Sequence, residues 1–136
     1  MTPRVIAALL LSPITAFIGR LLLVFAFLGS GISKAIDCPA ATAEMEHFGL
    51  DPPWLFALLT LVTQIVGSVL ILFNRATWLG AGALAVFTLL TIPIAHHFWA
   101  LSGERAQVEF YFAMEHLSIV GGMILAAALA VRAERG

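Results

Sequence analysis

Four long apolar runs, Val5–Ser33, Trp54–Phe73, Ala76–Ala95 and Phe110–Val131, take up most of this chain. A hydrocarbon core of ~30 Å is crossed by ~20 apolar residues rising 1.5 Å each, so every run is long enough to span a bilayer. Backbone amides have no water to bond inside lipid, and only helices or closed barrels satisfy them there. Uninterrupted apolar runs of this length read as helices. The composition agrees: 61% of the 136 residues are hydrophobic, only 11% are charged, and mean hydropathy is +1.01. Soluble domains hold roughly 45–50% apolar and about 25% charged residues. The expected fold is all-α: a single integral membrane domain, 1–136, in which four transmembrane helices form an antiparallel bundle. The spans are expected at about 13–35, 54–73, 77–99 and 110–131. Pro13 marks the start of the first, with Val5–Leu11 as a lead-in turn or a tilted extension. A cleaved signal peptide over 4–17 is the competing reading, but no small-x-small site follows.

The charge pattern orients the bundle. Arg4, Arg75, Arg132 and Arg135 fall in segments that share one side of a four-span protein. Lys34 and Arg105 lie on the other, among Asp37, Glu44, Glu46, Asp51, Glu104 and Glu109. Basic residues favour the cytoplasm, so both termini are expected inside and the loops near 35–53 and 100–109 outside. Trp54, Trp99 and Tyr111 then form an outer aromatic belt, and Trp78 marks the inner one. A net charge of -1 and the lack of a basic tail or glycine-rich phosphate loop speak against nucleic-acid or nucleotide binding. The lone cysteine, Cys38, rules out an internal dithiol–disulfide catalyst. Thr42–Phe48 reads as a short helical turn on the outer surface. The small residues Gly29 and Gly31, Gly67 and Ser68, Gly80 and Gly82, and Gly121 and Gly122 are expected at helix contacts.

Polar residues inside the runs are the candidates for function, because an ionisable group at mid-bilayer costs ~2.5–3.5 kcal/mol. Arg20 and Lys34 are fourteen residues apart, close to four helical turns, and share a face of the first helix. Gln64 sits in the middle of the second span, where an interhelical hydrogen bond is the plain alternative to a ligand contact. His96 and His97 end the third, and adjacent helical residues point about 100° apart, so at most one of them faces the bundle squarely. Glu115 and His116 sit at similar depth on the fourth. Together these groups are expected to line a charged cavity that opens outward. Each also has a structural reading, with Arg20 tied to a carbonyl or carboxylate and Glu115 neutralising Arg20 or Lys34. Paired histidines could ligate haem or a metal, but no spacing motif supports either.

The order of these pieces carries a family resemblance. Gly19–Arg20–Leu21 leads into Phe27–Leu28–Gly29–Ser30–Gly31–Ile32–Ser33–Lys34. Then come Pro39–Ala40–Ala41–Thr42, Glu46–His47–Phe48–Gly49–Leu50, Gly67, His96–His97–Phe98–Trp99 and Gly121–Gly122. Over roughly Ile18–Leu129 the chain resembles the DoxX family. The resemblance implies a four-helix membrane bundle. It also implies a link to terminal oxidase and thiosulfate:quinone oxidoreductase chemistry, to redox-stress complexes, or to assembly of partner proteins. Arg20, Lys34, His96, Phe98 and Trp99 fit the family pattern. Gln64 stands where the family often has glutamate, and His116 where it often has asparagine, which puts in doubt any activity that needs that glutamate.

The function expected from these observations is that of a small redox-associated subunit of the bacterial inner membrane. It would bind a quinone or similar lipophilic carbonyl compound beside Arg20, Lys34, Gln64, His96, His116 and Trp99. Arg20 or Lys34 would polarise the carbonyl, and His97 or Glu115 would exchange protons as catalytic groups. No electron carrier is encoded, so electrons would come from a redox partner or a bound cofactor. A non-enzymatic scaffold or assembly factor for a membrane protein is the alternative. A lipid or metabolite carrier is a third reading, and four helices would then call for a homo-oligomer.

Overall fold

The computed structural model describes residues 2–136. It contains α1 (Arg4–Leu10), α2 (Pro13–Ile36), α3 (Cys38–His47), α4 (Pro53–Leu72), α5 (Thr77–Ala95) and α6 (Gly103–Arg135), with a 3-10 turn at Phe98–Ala100 before α6. Four segments are long and apolar enough to cross a membrane: α2, α4, α5 with its 3-10 extension, and α6. They run antiparallel in sequence order.

Local chemistry sets the boundaries. The Ser12 hydroxyl accepts from the Ile14 amide at 3.3 Å, and a proline follows at the first helical position, so α2 starts afresh after α1. Asp37 Oδ1 accepts from the Ala40 amide at 3.0 Å and starts α3 immediately after α2 ends. Between α4 and α5 the chain reverses through Asn74 and Ala76, both in the left-handed region at φ 53° and 47°. The Thr77 hydroxyl donates to Asn74 Oδ1 at 3.0 Å and holds that turn. Pro93 falls in the last turn of α5, and the helix runs on to Ala95.

Packing follows the small residues. A Cβ on Gly80 would lie 2.7 Å from the Gly67 carbonyl oxygen, so α4 and α5 touch backbone to backbone. A Cβ on Gly31 would lie 2.8 Å from Ile65 Cγ1, which brings α2 equally close to α4. Gly122 meets Leu23 and joins α6 to α2. In lipid no hydrophobic force drives helices together, so such close approach supplies much of the cohesion. Gly29, Gly82 and Gly121, expected at contacts, face open space instead. In each of these three glycine pairs one residue packs and the other is turned out of the contact, whereas Gly67 and Ser68 are both buried.

A core of Val24, Phe27, Ile71, Ala81, Leu84 and Met123 fills the half of the bundle nearer the termini. A second cluster, Ala41, Met45 and Ala57, ties α3 down over the opposite end. Helix α3 is longer than the turn expected at Thr42–Phe48, and it roofs the bundle rather than lying apart from it. The last helix also departs from expectation. It starts at Gly103 rather than near 110 and has 33 residues, about 50 Å at 1.5 Å each. Its first turns carry Glu104, Arg105, Gln107 and Glu109 beyond the apolar stretch. Large apolar side chains cover the outside, among them Phe25, Leu58, Val86 and Leu125, and Trp54, Trp78, Trp99 and Tyr111 are all exposed there.

Candidate functional site

A cavity of about 550 Å³ occupies the α3 half of the bundle, between the two apolar clusters. Its walls are Ala26, Phe27, Ser30 and Lys34 of α2, Thr60, Thr63 and Gln64 of α4, Phe87, Leu90, Thr91 and Ile94 of α5, and His116 and Ile119 of α6. Glu44, Met45 and Phe48 of α3 form its roof, and His96 stands at its edge. Ligand pockets of ≈ 300–1,000 Å³ are mostly apolar with a few converging polar groups, and this one fits that description.

Gln64 is 95% buried, and its Oε1 has no hydrogen-bond partner. A buried polar atom left unpaired costs about 1–3 kcal/mol. Gln64 itself, on the second long helix, forms part of the cavity wall. One turn farther along α4, Ser68 Oγ is also unpartnered, but it does not line the cavity.

The roof is fastened by charge. Lys34 Nζ lies 2.7 Å from Glu44 Oε2 and donates to Ser30 Oγ at 3.3 Å. Lys34 is almost enclosed, whereas Glu44 reaches solvent, so the pair straddles the rim. On the other side, His96 Nδ1 lies 2.7 Å from Glu109 Oε2. The His96 ring packs against Phe112 and, edge to face at 4.6 Å between centroids, against His116. His116 Nδ1 lies 2.7 Å from the Phe112 carbonyl oxygen. The end of α5 at Ala95 lets both His96 contacts form, because His96, the C-cap, has left helical geometry at φ -118° and ψ 41°.

Four expected ligand residues, Lys34, Gln64, His96 and His116, therefore meet at one cavity. The others do not. Arg20 lies about 21 Å along α2 from Lys34, and its Nε donates to the Leu72 carbonyl at 3.2 Å. It caps the last turn of α4, where carbonyls lack helical partners and a cation is favoured. Arg20 thus takes the structural role of a carbonyl tie. Glu115 is exposed on the outer side of α6 with Tyr111 and Ser118. It is one residue from His116, and that 100° step turns it away from the hollow. His97, the expected proton-exchange residue, makes no side-chain hydrogen bond among the described residues, and His96 rather than His97 borders the cavity. Trp99 is exposed, and it packs with Phe98, which in turn meets Phe110. No group of three or more metal-binding side chains occurs among the described residues. Glu44, Glu109, Ser30 and the threonines of α4 and α5 were missed as site residues. Glu109 was the most accessible of these, since it shares a helical stripe with Phe112 and His116.

The DoxX family model matches residues 15–97, which cover α2 to α5 and reach His96. The chain belongs to the DoxX family. It is also 26% identical over 115 residues to inner membrane protein YphA of Escherichia coli (strain K12), covering 85% of this chain and 82% of that one. No solved structure matches it significantly. The DoxX match contains Lys34, Gln64 and His96, whereas Glu109 and His116 come from α6, beyond it. The cavity is therefore walled on three sides by the matched segment and completed by the last helix.

Proposed function

We propose that this multi-pass inner membrane protein of the DoxX family binds a lipophilic ring compound of the quinone class in the cavity beneath α3. The supporting observation is Gln64, a buried residue with its Oε1 unpaired, at the wall of an apolar hollow. An amide offers both a donor and an acceptor, so it can serve either ring oxygen of such a ligand. Lys34, His96 and His116 add polar contacts at the α3 end, while Phe27, Phe87 and Ile119 hold the ring and the start of its tail. By the distribution of basic residues, the α3 end faces outward and both termini face the cytoplasm. Redox chemistry would then draw electrons from a partner, and the protein would act as that partner's quinone-binding subunit. The test is thermal unfolding of the detergent-solubilised chain with short-tailed ubiquinone and menaquinone analogues. Stabilisation by one of them, lost in Gln64→Leu, is expected. Melting that no quinone changes would overturn the reading.

A second reading, docking of a partner membrane protein, is favoured by α6. Tyr111, Glu115 and Ser118 recur at i, i+4 and i+7 on its outer face, where lipid would otherwise meet a carboxylate. Charge complementarity calls for a transmembrane helix that presents Lys or Arg at that depth. The two readings use opposite faces of α6 and are compatible.

A further inference from the structure

A wall residue that is also exposed marks a place where the cavity reaches the outside. Ala26, Glu44, Leu59 and Leu90 do so. Leu59 of α4 is 52% exposed and Leu90 of α5 is 55% exposed, and they flank one seam. Helices α4 and α5 touch at Gly67, where a Cβ would lie 2.8 Å from Leu84 Cγ. Leu59 lies about 12 Å beyond that contact along α4, and Leu90 about 9 Å beyond it along α5. Both also lie about 8–9 Å inside the outer ends of their helices, at Pro53 and Ala95. An opening at that depth faces hydrocarbon, not water. The same stretch of wall carries the smaller Thr63 and Thr91, and the Thr91 hydroxyl is spent on the Thr88 carbonyl at 2.7 Å.

We infer that the cavity is filled from within the bilayer, through the seam between α4 and α5, and that its ligand is a tailed lipid whose hydrocarbon chain leaves past Leu59 and Leu90. This rests on the proposed binding of a quinone-class ligand and adds the route it takes and the tail it carries. The hollow of about 550 Å³ accommodates a substituted ring and the first carbons of a tail, but not a polyprenyl chain as well. A chain left in lipid costs little, because acyl tails are as apolar as the leucines at the mouth. The other openings suit a tail poorly. Beside Glu44 it would pass the ion pair to Lys34 and emerge toward water, where its apolar surface is disfavoured. At Ala26 the facing residues of α6, His116 and Ile119, are half-buried, and the Leu23–Gly122 contact closes that seam one turn away.

The test has two arms, both on the full chain in detergent. The first follows the tail directly, with a decylubiquinone that carries a diazirine midway along its decyl chain. After photolysis, label is expected on residues 56–63 and 87–94, and excess unlabelled decylubiquinone should suppress it. Suppressible label on α3, or on α2 and α6 instead, would overturn the inference and leave the proposed function standing. The second arm compares equilibrium binding of decylubiquinone with that of the tail-less ring, 2,3-dimethoxy-5-methyl-1,4-benzoquinone. Leu59→Trp and Leu90→Trp narrow the mouth, so each should weaken decylubiquinone about tenfold and change the tail-less ring less than twofold. Ala26→Trp should alter neither. Selective weakening of decylubiquinone by Ala26→Trp, with both leucine variants unchanged, would place the tail between α2 and α6 and overturn the route. Equal weakening of both probes in the leucine variants would mean that the seam holds the ring itself, which also overturns it. If neither probe binds and no suppressible label forms, the proposed function fails and the inference with it.

Discussion

Gln64 carries a buried carbonyl oxygen that no group among the described residues satisfies. Replacing it with leucine removes that penalty while nearly keeping the volume. Gln64→Leu is therefore expected to unfold at the same temperature or higher, while affinity for a quinone-class ligand falls about tenfold. Thermal unfolding with and without ligand reads both effects. A loss of stability would show that the amide serves helix packing, as an interhelical hydrogen bond would. Arg20 behaves in the opposite way. Its guanidinium caps α4 far from the cavity, so Arg20→Met should cost about 1–2 kcal/mol of stability and leave ligand affinity unchanged. The same pair of measurements checks it. Sequence spacing correctly put Arg20 and Lys34 on one helical face, but a shared face does not mean a shared depth. Fourteen residues of rise carry one side chain to each end of the bundle.

Helix contacts divide the glycines into two groups. Gly80→Ala would force a Cβ to within 2.7 Å of the Gly67 carbonyl oxygen, and backbone cannot swing aside as a side chain can. Separation of α4 from α5 is expected to cost about 1–3 kcal/mol. Gly82→Ala, with open space around it, should be neutral or slightly stabilising, because alanine is the better helix former. Melting temperatures of the two variants provide the comparison. Helix α3 is a roof held by the Ala41–Met45–Ala57 cluster and by the ion pair from Lys34 to Glu44. In Glu44→Gln, amide hydrogen exchange over 38–47 should accelerate while α4 and α5 keep their protection. Equal acceleration throughout would mean that the pair stabilises the whole bundle and does not fasten the roof alone. Nothing in the order of residues marked Glu44 as the partner of Lys34, because the contact depends on how the chain turns at Asp37.

At the scale of the molecule, α2 and α6 close the bundle through Leu23 and Gly122, and farther toward α3 both helices border the cavity. A lipid-soluble ligand can be held there between helices that share a single small-residue contact. The outer face of α6 carries Tyr111, Glu115 and Ser118, and Glu115 is exposed there among the described residues. Glu115→Leu is expected to leave ligand binding intact and to release any partner subunit that co-purifies from native membranes through a basic transmembrane helix. Retention of the partner, measured by quantitative pull-down, would move the docking surface elsewhere.

Apolar run length alone determined that the protein lives in a membrane, how many helices cross it and roughly where each lies. Hydrocarbon penalises every unpaired amide, and that penalty depends on composition and length rather than on neighbours. Proline and cap residues added the break at Ser12–Pro13 by equally local rules. The motif order from Gly19–Arg20 to Gly121–Gly122 was enough to point to the DoxX family. The tertiary structure decided the grouping: His96 rather than His97 faces inward, Glu115 faces outward, Arg20 is spent on a helix end, and Glu44 and Glu109 join the rim. These outcomes turn on rotations of about 100° between neighbouring residues and on where α5 stops. Both are set by helices packing against one another and are invisible along a single strand of sequence.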